Sequence, residues 1–232
     1  IIYINKYGKW YEKYGDNTHN TIKKGLIHKY SSYKGKFIYF TMYKQKAGIL
    51  TIPRNRISNI MTYKGKHLDY DNQIITMGKE TNFTYIGTLY DYQQTIVDHI
   101  NKFYFNEKRV NQGLGSCLLI MPPGKGKTFV ASSFIKGKTL IVLSSTSLLY
   151  FWERDLNRVF KNIKIGRYDG KKKQDGDIIL GIINSLVSDG FQFKKGNLMT
   201  NDEFFIQFQT IILDEVHEYC SDVRKEIFFR AN

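Results

Sequence analysis

The segment that most constrains how this chain can fold is Met121 to Thr128, MPPGKGKT, read with its two flanks. An apolar run, Cys117-Leu118-Leu119-Ile120, precedes it, and Phe129-Val130-Ala131 follows. Strand, glycine loop and helix in that order surround an anion with backbone N–H groups and a helix N-terminus. A second apolar run, Ile211-Ile212-Leu213, leads into Asp214-Glu215-Val216-His217. That order sets two carboxylates at the C-terminal end of a buried strand, where open α/β sheets gather their chemistry. A phosphate cradle and an acidic pair together suit the binding and hydrolysis of ATP.

Each residue type in the loop Pro123, Gly124, Lys125, Gly126, Lys127 and Thr128 has a physical role. Gly124 and Gly126 lack a Cβ, so the backbone can aim its N–H groups inward. Lys127 offers a point charge to the β- and γ-phosphates, and the Thr128 hydroxyl is placed to ligate Mg²⁺. Asp214 is expected to hold the same ion through water, because Mg²⁺ gives up its waters reluctantly. Glu215 is the candidate for positioning or deprotonating an attacking water, with Lys127 as its catalytic partner. Met121 stands where the generic pattern G-x-x-x-x-G-K-[ST] has its first glycine. The competing reading of GKGKT is a chance match in a lysine- and glycine-rich chain. The strands on both sides and the acidic pair downstream argue against it.

These residues resemble the superfamily 2 helicases. MPPGKGKT looks like their motif I, in which Pro commonly precedes G-x-G-K-T, and DEVH looks like motif II of the DExH kind. Gly87-Thr88-Leu89-Tyr90-Asp91-Tyr92-Gln93 is similar to the G-x-L-R-x-Y-Q element of the XPB and UvsW type, which implies that Gln93 reads adenine. Thr139 to Leu156 resembles motif Ia and its helix, usually V-P-T-x-x-L-x-x-Q-W. Ser145 stands at the usual Pro and Phe151 at the usual Gln before Trp152. The resemblance implies a nucleic-acid contact at Thr146, with Ser145 beside it. Asp177 to Leu186 is similar to D-I-x-I-A-T-x-Q-S-L, with Ile182 and Asn184 at its Thr and Gln. Gly48 to Arg54 is similar to a G-x-L-x-V-P-R strand ahead of the motor. Large nucleocytoplasmic DNA viruses, poxviruses among them, encode such helicases, and abundant Ile, Lys, Asn and Tyr suits an AT-rich genome. The resemblance implies ATP and Mg²⁺ as cofactors, DNA or RNA as partner, and an intracellular setting of viral origin.

The family's motif III and its Q-x-x-R-x-x-R element, which supplies an arginine finger from a second RecA-like lobe, do not occur in these 232 residues. In such motors the finger is worth about a thousandfold or more in rate. The expectation is therefore an amino-terminal piece of a longer protein, able to bind ATP and poor at hydrolysing it alone.

Charge divides the chain. The net charge is +14, and residues 1–84 hold 15 Lys and Arg against 5 Asp and Glu. That density suits a polyanion through phosphate contacts and counterion release, although a Lys-rich solvated surface also follows from an AT-rich genome. Residues 1–82 read as a small β-rich accessory domain. Strands are expected near 36–42 and 47–52, with turns at Tyr33-Lys34-Gly35 and Tyr63-Lys64-Gly65. Its Tyr and Lys residues suit base stacking or, more commonly, half-buried packing. Residues 83–232 read as a RecA-like lobe: a helix over Tyr92–Asn106 and strands at Cys117–Ile120, Thr139–Leu143, Ile163–Gly166, Asp177–Ile183 and Thr210–Leu213. Helices at Lys127–Phe134 and Ser147–Phe160 alternate with them. Such alternation implies an α/β fold with a parallel sheet and helices on both faces.

Arg167, in a basic loop, is a candidate nucleic-acid contact or a solvated residue. Cys117 and Cys220 are expected to be buried small hydrophobes. Residues 191–208 look like an insertion with no functional reading. No apolar run approaches the ~18 residues of a transmembrane helix. Two competitors to the motor reading remain. One is a nucleic-acid-binding module with a degenerate ATPase core, disfavoured because Lys127, Thr128, Asp214 and Glu215 are all present. The other is an unrelated P-loop kinase, disfavoured by DEVH and the Gln93 element.

Overall fold

Thr139-Leu140-Ile141-Val142-Leu143 is buried at every position, as a strand covered on both faces must be. This run is an inner strand of the five-stranded sheet. In the computed structural model the described residues are 2–4, 10–12, 26–31, 37–41, 43–46, 49–51, 62–63, 66–67, 70–72, 78–111, 115–188, 190–194, 196–221 and 223–230. The chain divides into two units, Ile1–Ile75 and Thr76–Ala231.

Among the described residues the first unit contains nine short strands: β1 (Ile2–Ile4), β2 (Trp10–Glu12), β3 (Ile27–Ser31), β4 (Phe37–Thr41), β5 (Lys44–Lys46), β6 (Ile49–Thr51), β7 (Thr62–Tyr63), β8 (Lys66–His67) and β9 (Tyr70–Asn72). β1 pairs antiparallel with β2 and parallel with β9. β3–β4, β5–β6 and β7–β8 form antiparallel pairs. Strands expected near 36–42 and 47–52 are thus β4 and β6. The turn residues 33–35 and 64–65 lie outside the described residues, but the strands flanking each pair antiparallel, as a hairpin requires.

The second unit carries β10 (Thr84–Tyr85), α1 (Asp91–Phe103), α2 (Glu107–Asn111), α3 (Lys127–Ser132), β11 (Thr139–Leu143), α4 (Thr146–Val159), β12 (Phe160–Lys161), β13 (Ile165–Tyr168), β14 (Lys173–Gln174), β15 (Ile178–Ile182), α5 (Ile183–Leu186), α6 (Asn201–Phe205), β16 (Thr210–Leu213) and α7 (Ile227–Arg230). Five strands form one sheet in the order β14-β13-β15-β11-β16. β13, β15, β11 and β16 run parallel; β14 alone is antiparallel. The α/β class with a mostly parallel sheet is therefore as the alternation predicted.

Period-two alternation decides which residues face which layer. Ile141, Leu143, Ile178 and Leu180 pack with Leu149, Trp152, Leu156 and Val159 of α4. Leu140, Val142 and Ile179 face the opposite layer, with Phe191, Phe193, Phe204, Phe205 and Phe208. The apparent insertion at 191–208 thus supplies five phenylalanines to the core: its rings, with Tyr168, stack, tilt and meet edge to face at 4.1–5.8 Å. Lys138, buried below β11, ties this layer down by donating to Asp175 and to Gln207 Oε1.

Two expectations are corrected. Cys117–Ile120 forms no strand; Cys117, Leu118 and Ile120 are exposed, and Leu119 alone leans on the small cluster of Val97, Met121 and Val130. Cys117 and Cys220 are both exposed free thiols, not buried hydrophobes. The stretch before β10 is bonded into the second unit. Lys79 N–H donates to the Gln207 carbonyl at 3.3 Å, and the Lys79 carbonyl accepts from Lys138 N–H at 2.8 Å. Among the described residues no helix is long and apolar enough to cross a membrane.

Candidate active site

Glycine chemistry shapes the loop as expected. Gly124 and Gly126 sit at φ +74° and +77°, conformations that L side chains rarely adopt. Gly126 has a second reason to lack a side chain, since a Cβ there would stand 2.4 Å from Gln93 Nε2. Pro123, Gly124 and Lys125 are exposed, while Gly126, Lys127 and Thr128 are partly buried at the start of α3. Lys127 opens that helix, so its ammonium reaches across to the carboxylates after β16.

β16 brings Asp214 and Glu215 to the C-terminal edge of the sheet, where Asp214 N–H donates to the Val142 carbonyl at 3.1 Å. The chain then turns sharply. Glu215 adopts φ 48° and ψ 48° and leads into a 3-10 turn at Val216–Tyr219. The turn sends the two adjacent carboxylates to different partners. Glu215 Oε1 meets Lys127 Nζ at 3.4 Å, and Glu215 Oε2 meets His217 Nδ1 at 3.4 Å. Asp214 Oδ2 accepts from the Trp152 indole N–H at 2.8 Å. Side chains of Lys127 and Glu215 are 40% and 35% exposed, and an ion pair so exposed is worth at most about 1 kcal/mol. An incoming polyphosphate can displace it.

The turn is anchored from beneath. Tyr219 is fully buried and its hydroxyl donates to the Val142 carbonyl at 2.9 Å. Burial pushes its phenol above the ordinary tyrosine range, and the Asp214 and Glu218 carboxylates push the same way. Neither Tyr219 nor Trp152 was found as a site residue from sequence; an aromatic after an acidic motif reads only as core.

Gln93 is 3% exposed. Its Oε1 accepts from Tyr90 N–H at 3.0 Å and its Nε2 donates to the Lys125 carbonyl at 3.1 Å. The Tyr92 hydroxyl donates to the same carbonyl at 3.2 Å. The start of α1 is thereby laced to the loop. Ser145 caps α4, its hydroxyl accepting from Leu148 N–H at 3.4 Å, and Thr146 is exposed at the first helical position. Arg167 points back at α4: it is paired with Glu153 and lies 5.0 Å over the Tyr150 ring. These two contacts hold its guanidinium against the helix.

The donor set fits a magnesium nucleotide. Thr128 and Asp214 are hard oxygen donors of the kind Mg²⁺ takes alongside water and phosphate. The loop is held open by two glycines in left-handed backbone, and Lys127 has only a weak pair to release. Residues 86–230 match the family described as type III restriction enzyme, res subunit. Proteins of African swine fever virus, provisionally named ATP-dependent RNA helicases, are similar to this chain. Those of the Badajoz strain and the Pretoriuskop tick isolate are each 30% identical over 152 residues, covering 61% of this chain and 26% of the relative. The chain therefore spans about a quarter of the length of these relatives. With most of its length matched, the chain belongs to the type III restriction enzyme res-subunit family, within the superfamily 2 helicases.

Proposed function

We propose that this chain is the ATP-binding lobe of a nucleic-acid-dependent motor of the XPB and UvsW type, coupling ATP hydrolysis to DNA unwinding or translocation. The observation that carries the reading is the convergence of Lys127 on Glu215, with Asp214 one residue away and a glycine loop at left-handed φ leading into Lys127. ATP with Mg²⁺ supplies the phosphoanhydride bond whose cleavage drives movement. Backbone N–H groups of 124–128 and the Lys127 ammonium bind and orient the phosphates. Thr128 and Asp214 hold the cation, and Glu215 accepts a proton from the attacking water. Adenine recognition by Gln93 would use the second N–H and second lone pair of an amide already tied to the loop.

A second RecA-like lobe supplying an arginine finger completes this scheme, and the basic amino-terminal unit adds phosphate contacts. The RNA-directed reading is favoured by one observation, the name carried by the viral relatives. Those relatives also support a viral origin; action in the virion or host cytoplasm is part of the proposal. The test is ATP turnover by the full-length protein with duplex DNA, single-stranded DNA and RNA added in turn. Stimulation by DNA supports the leading reading, and stimulation by RNA alone replaces it with the second. Turnover indifferent to all three removes the motor.

A further inference from the structure

Asp214 is gripped at both oxygens. Oδ2 accepts from the Trp152 indole at 2.8 Å, and Oδ1 accepts from Glu215 N–H at 3.1 Å. The torsion that sets a carboxylate plane is intrinsically broad, so two donors at opposite oxygens are what fixes it. Trp152 is itself immobile: it is 4% exposed and lies among Leu149, Leu156 and Val159 on the buried stripe of α4. Packing alone asks only for a large apolar ring there, and a buried indole is costly unless its N–H finds a partner.

The chemistry of that partner matters. An indole donates one hydrogen bond and accepts none, so it cannot compete for a cation. It is also neutral, so it leaves the carboxylate its full negative charge, which a Lys or Arg at the same place would cancel. Donors of this kind behind a metal-binding carboxylate orient it and tune its affinity.

Resting on the nucleotide-site reading above, we propose that Trp152 is a positioning residue for the metal: its indole N–H sets the plane of Asp214 and turns the remaining lone pairs toward the cation. Trp152 acts through Asp214 and touches neither nucleotide nor metal.

The test measures binding of a fluorescent, non-hydrolysable ATP analogue to the full chain, with Mn²⁺ and again in EDTA. The ratio of the two affinities is the metal's contribution. Two variants are compared with wild type: Trp152→Phe, and replacement of Trp152 by 3-benzothienylalanine, which keeps the bicyclic shape and replaces N–H with sulfur. The expected result is a ratio about tenfold lower in both variants, with affinity in EDTA within about twofold of wild type. The isostere keeps the inference falsifiable if the phenylalanine variant folds poorly. An unchanged ratio in the folded isostere overturns the inference. Equal loss with and without Mn²⁺ also overturns it, since that is what a merely structural tryptophan gives. Failure of wild type to bind the analogue at all overturns the nucleotide-site reading itself, an outcome distinct from both.

Discussion

Glu215 and Asn162 are the two non-glycine residues with positive φ among those described. An L-residue in left-handed backbone costs about 1–2 kcal/mol. At Glu215 the strain lies on the candidate general base, and it is what separates that carboxylate from Asp214. Glu215→Gln keeps the size and the turn but removes the base. Nucleotide affinity is expected to hold while turnover by the full-length protein falls roughly a hundredfold or more. Lys127→Ala is expected to lose nucleotide binding and turnover, with unfolding free energy within about 1 kcal/mol of wild type, because its half-exposed ion pair with Glu215 is weak. The two glycines separate by context. A Cβ at Gly124 meets nothing within 4 Å, so Gly124→Ala is expected to cost about 1 kcal/mol from φ alone. Gly126→Ala adds a collision with Gln93 and should cost more in denaturant unfolding; equal costs would contradict the Gln93 contact.

At the scale of elements, pairing outweighs pattern. Cys117-Leu118-Leu119-Ile120 has a strand's composition, yet among the described residues β16 ends the sheet and pairs with β11 alone. A strand exists only where another strand takes its hydrogen bonds, and none of the described strands takes those of 117–120. The converse holds at 191–208, where a segment without regular periodicity joins the core because Phe191, Phe193 and Phe204 close on Tyr168 while Phe205 and Phe208 pack on Phe204. Phe204 is fully buried at the centre of that cluster. Phe204→Ala is expected to destabilise the lobe by about 3–5 kcal/mol, read by urea unfolding. A cost below about 1 kcal/mol would return the segment to the status of a surface loop. The turn after DEVH is held by an element contact of the same kind. Tyr219 is protonated in the fold well beyond its ordinary pKa of 10.0. Its contribution is fully present below pH 10 and declines as pH rises past that value, because only the unfolded chain then releases the proton. Tyr219→Phe should cost about 1 kcal/mol near neutrality and flatten that alkaline decline.

For the whole molecule, charge and fold are unevenly shared. The excess of basic residues lies in the amino-terminal part, and the candidate nucleotide-site residues lie in the second unit. If the basic part grips phosphate, nucleic-acid affinity falls steeply with salt, and Lys23→Ala with Lys24→Ala lowers the log–log slope by roughly one per lysine that touches a phosphate. An unaltered slope would leave those lysines as solvated surface.

Short-range chemistry was legible in the residues themselves: glycine where φ must be positive, acids at the end of an apolar strand, a strand at Thr139–Leu143. Such features are local, and backbone sterics and the two-residue strand period act on every chain alike. The tertiary structure alone decided that Gln93 ties down the loop, that Glu153 and Tyr150 engage Arg167, and that Trp152 and Tyr219 stand behind the acidic pair. Each depends on a partner between 14 and 77 positions away, and sequence spacing carries no information about contacts that exist only once the sheet has brought distant segments together.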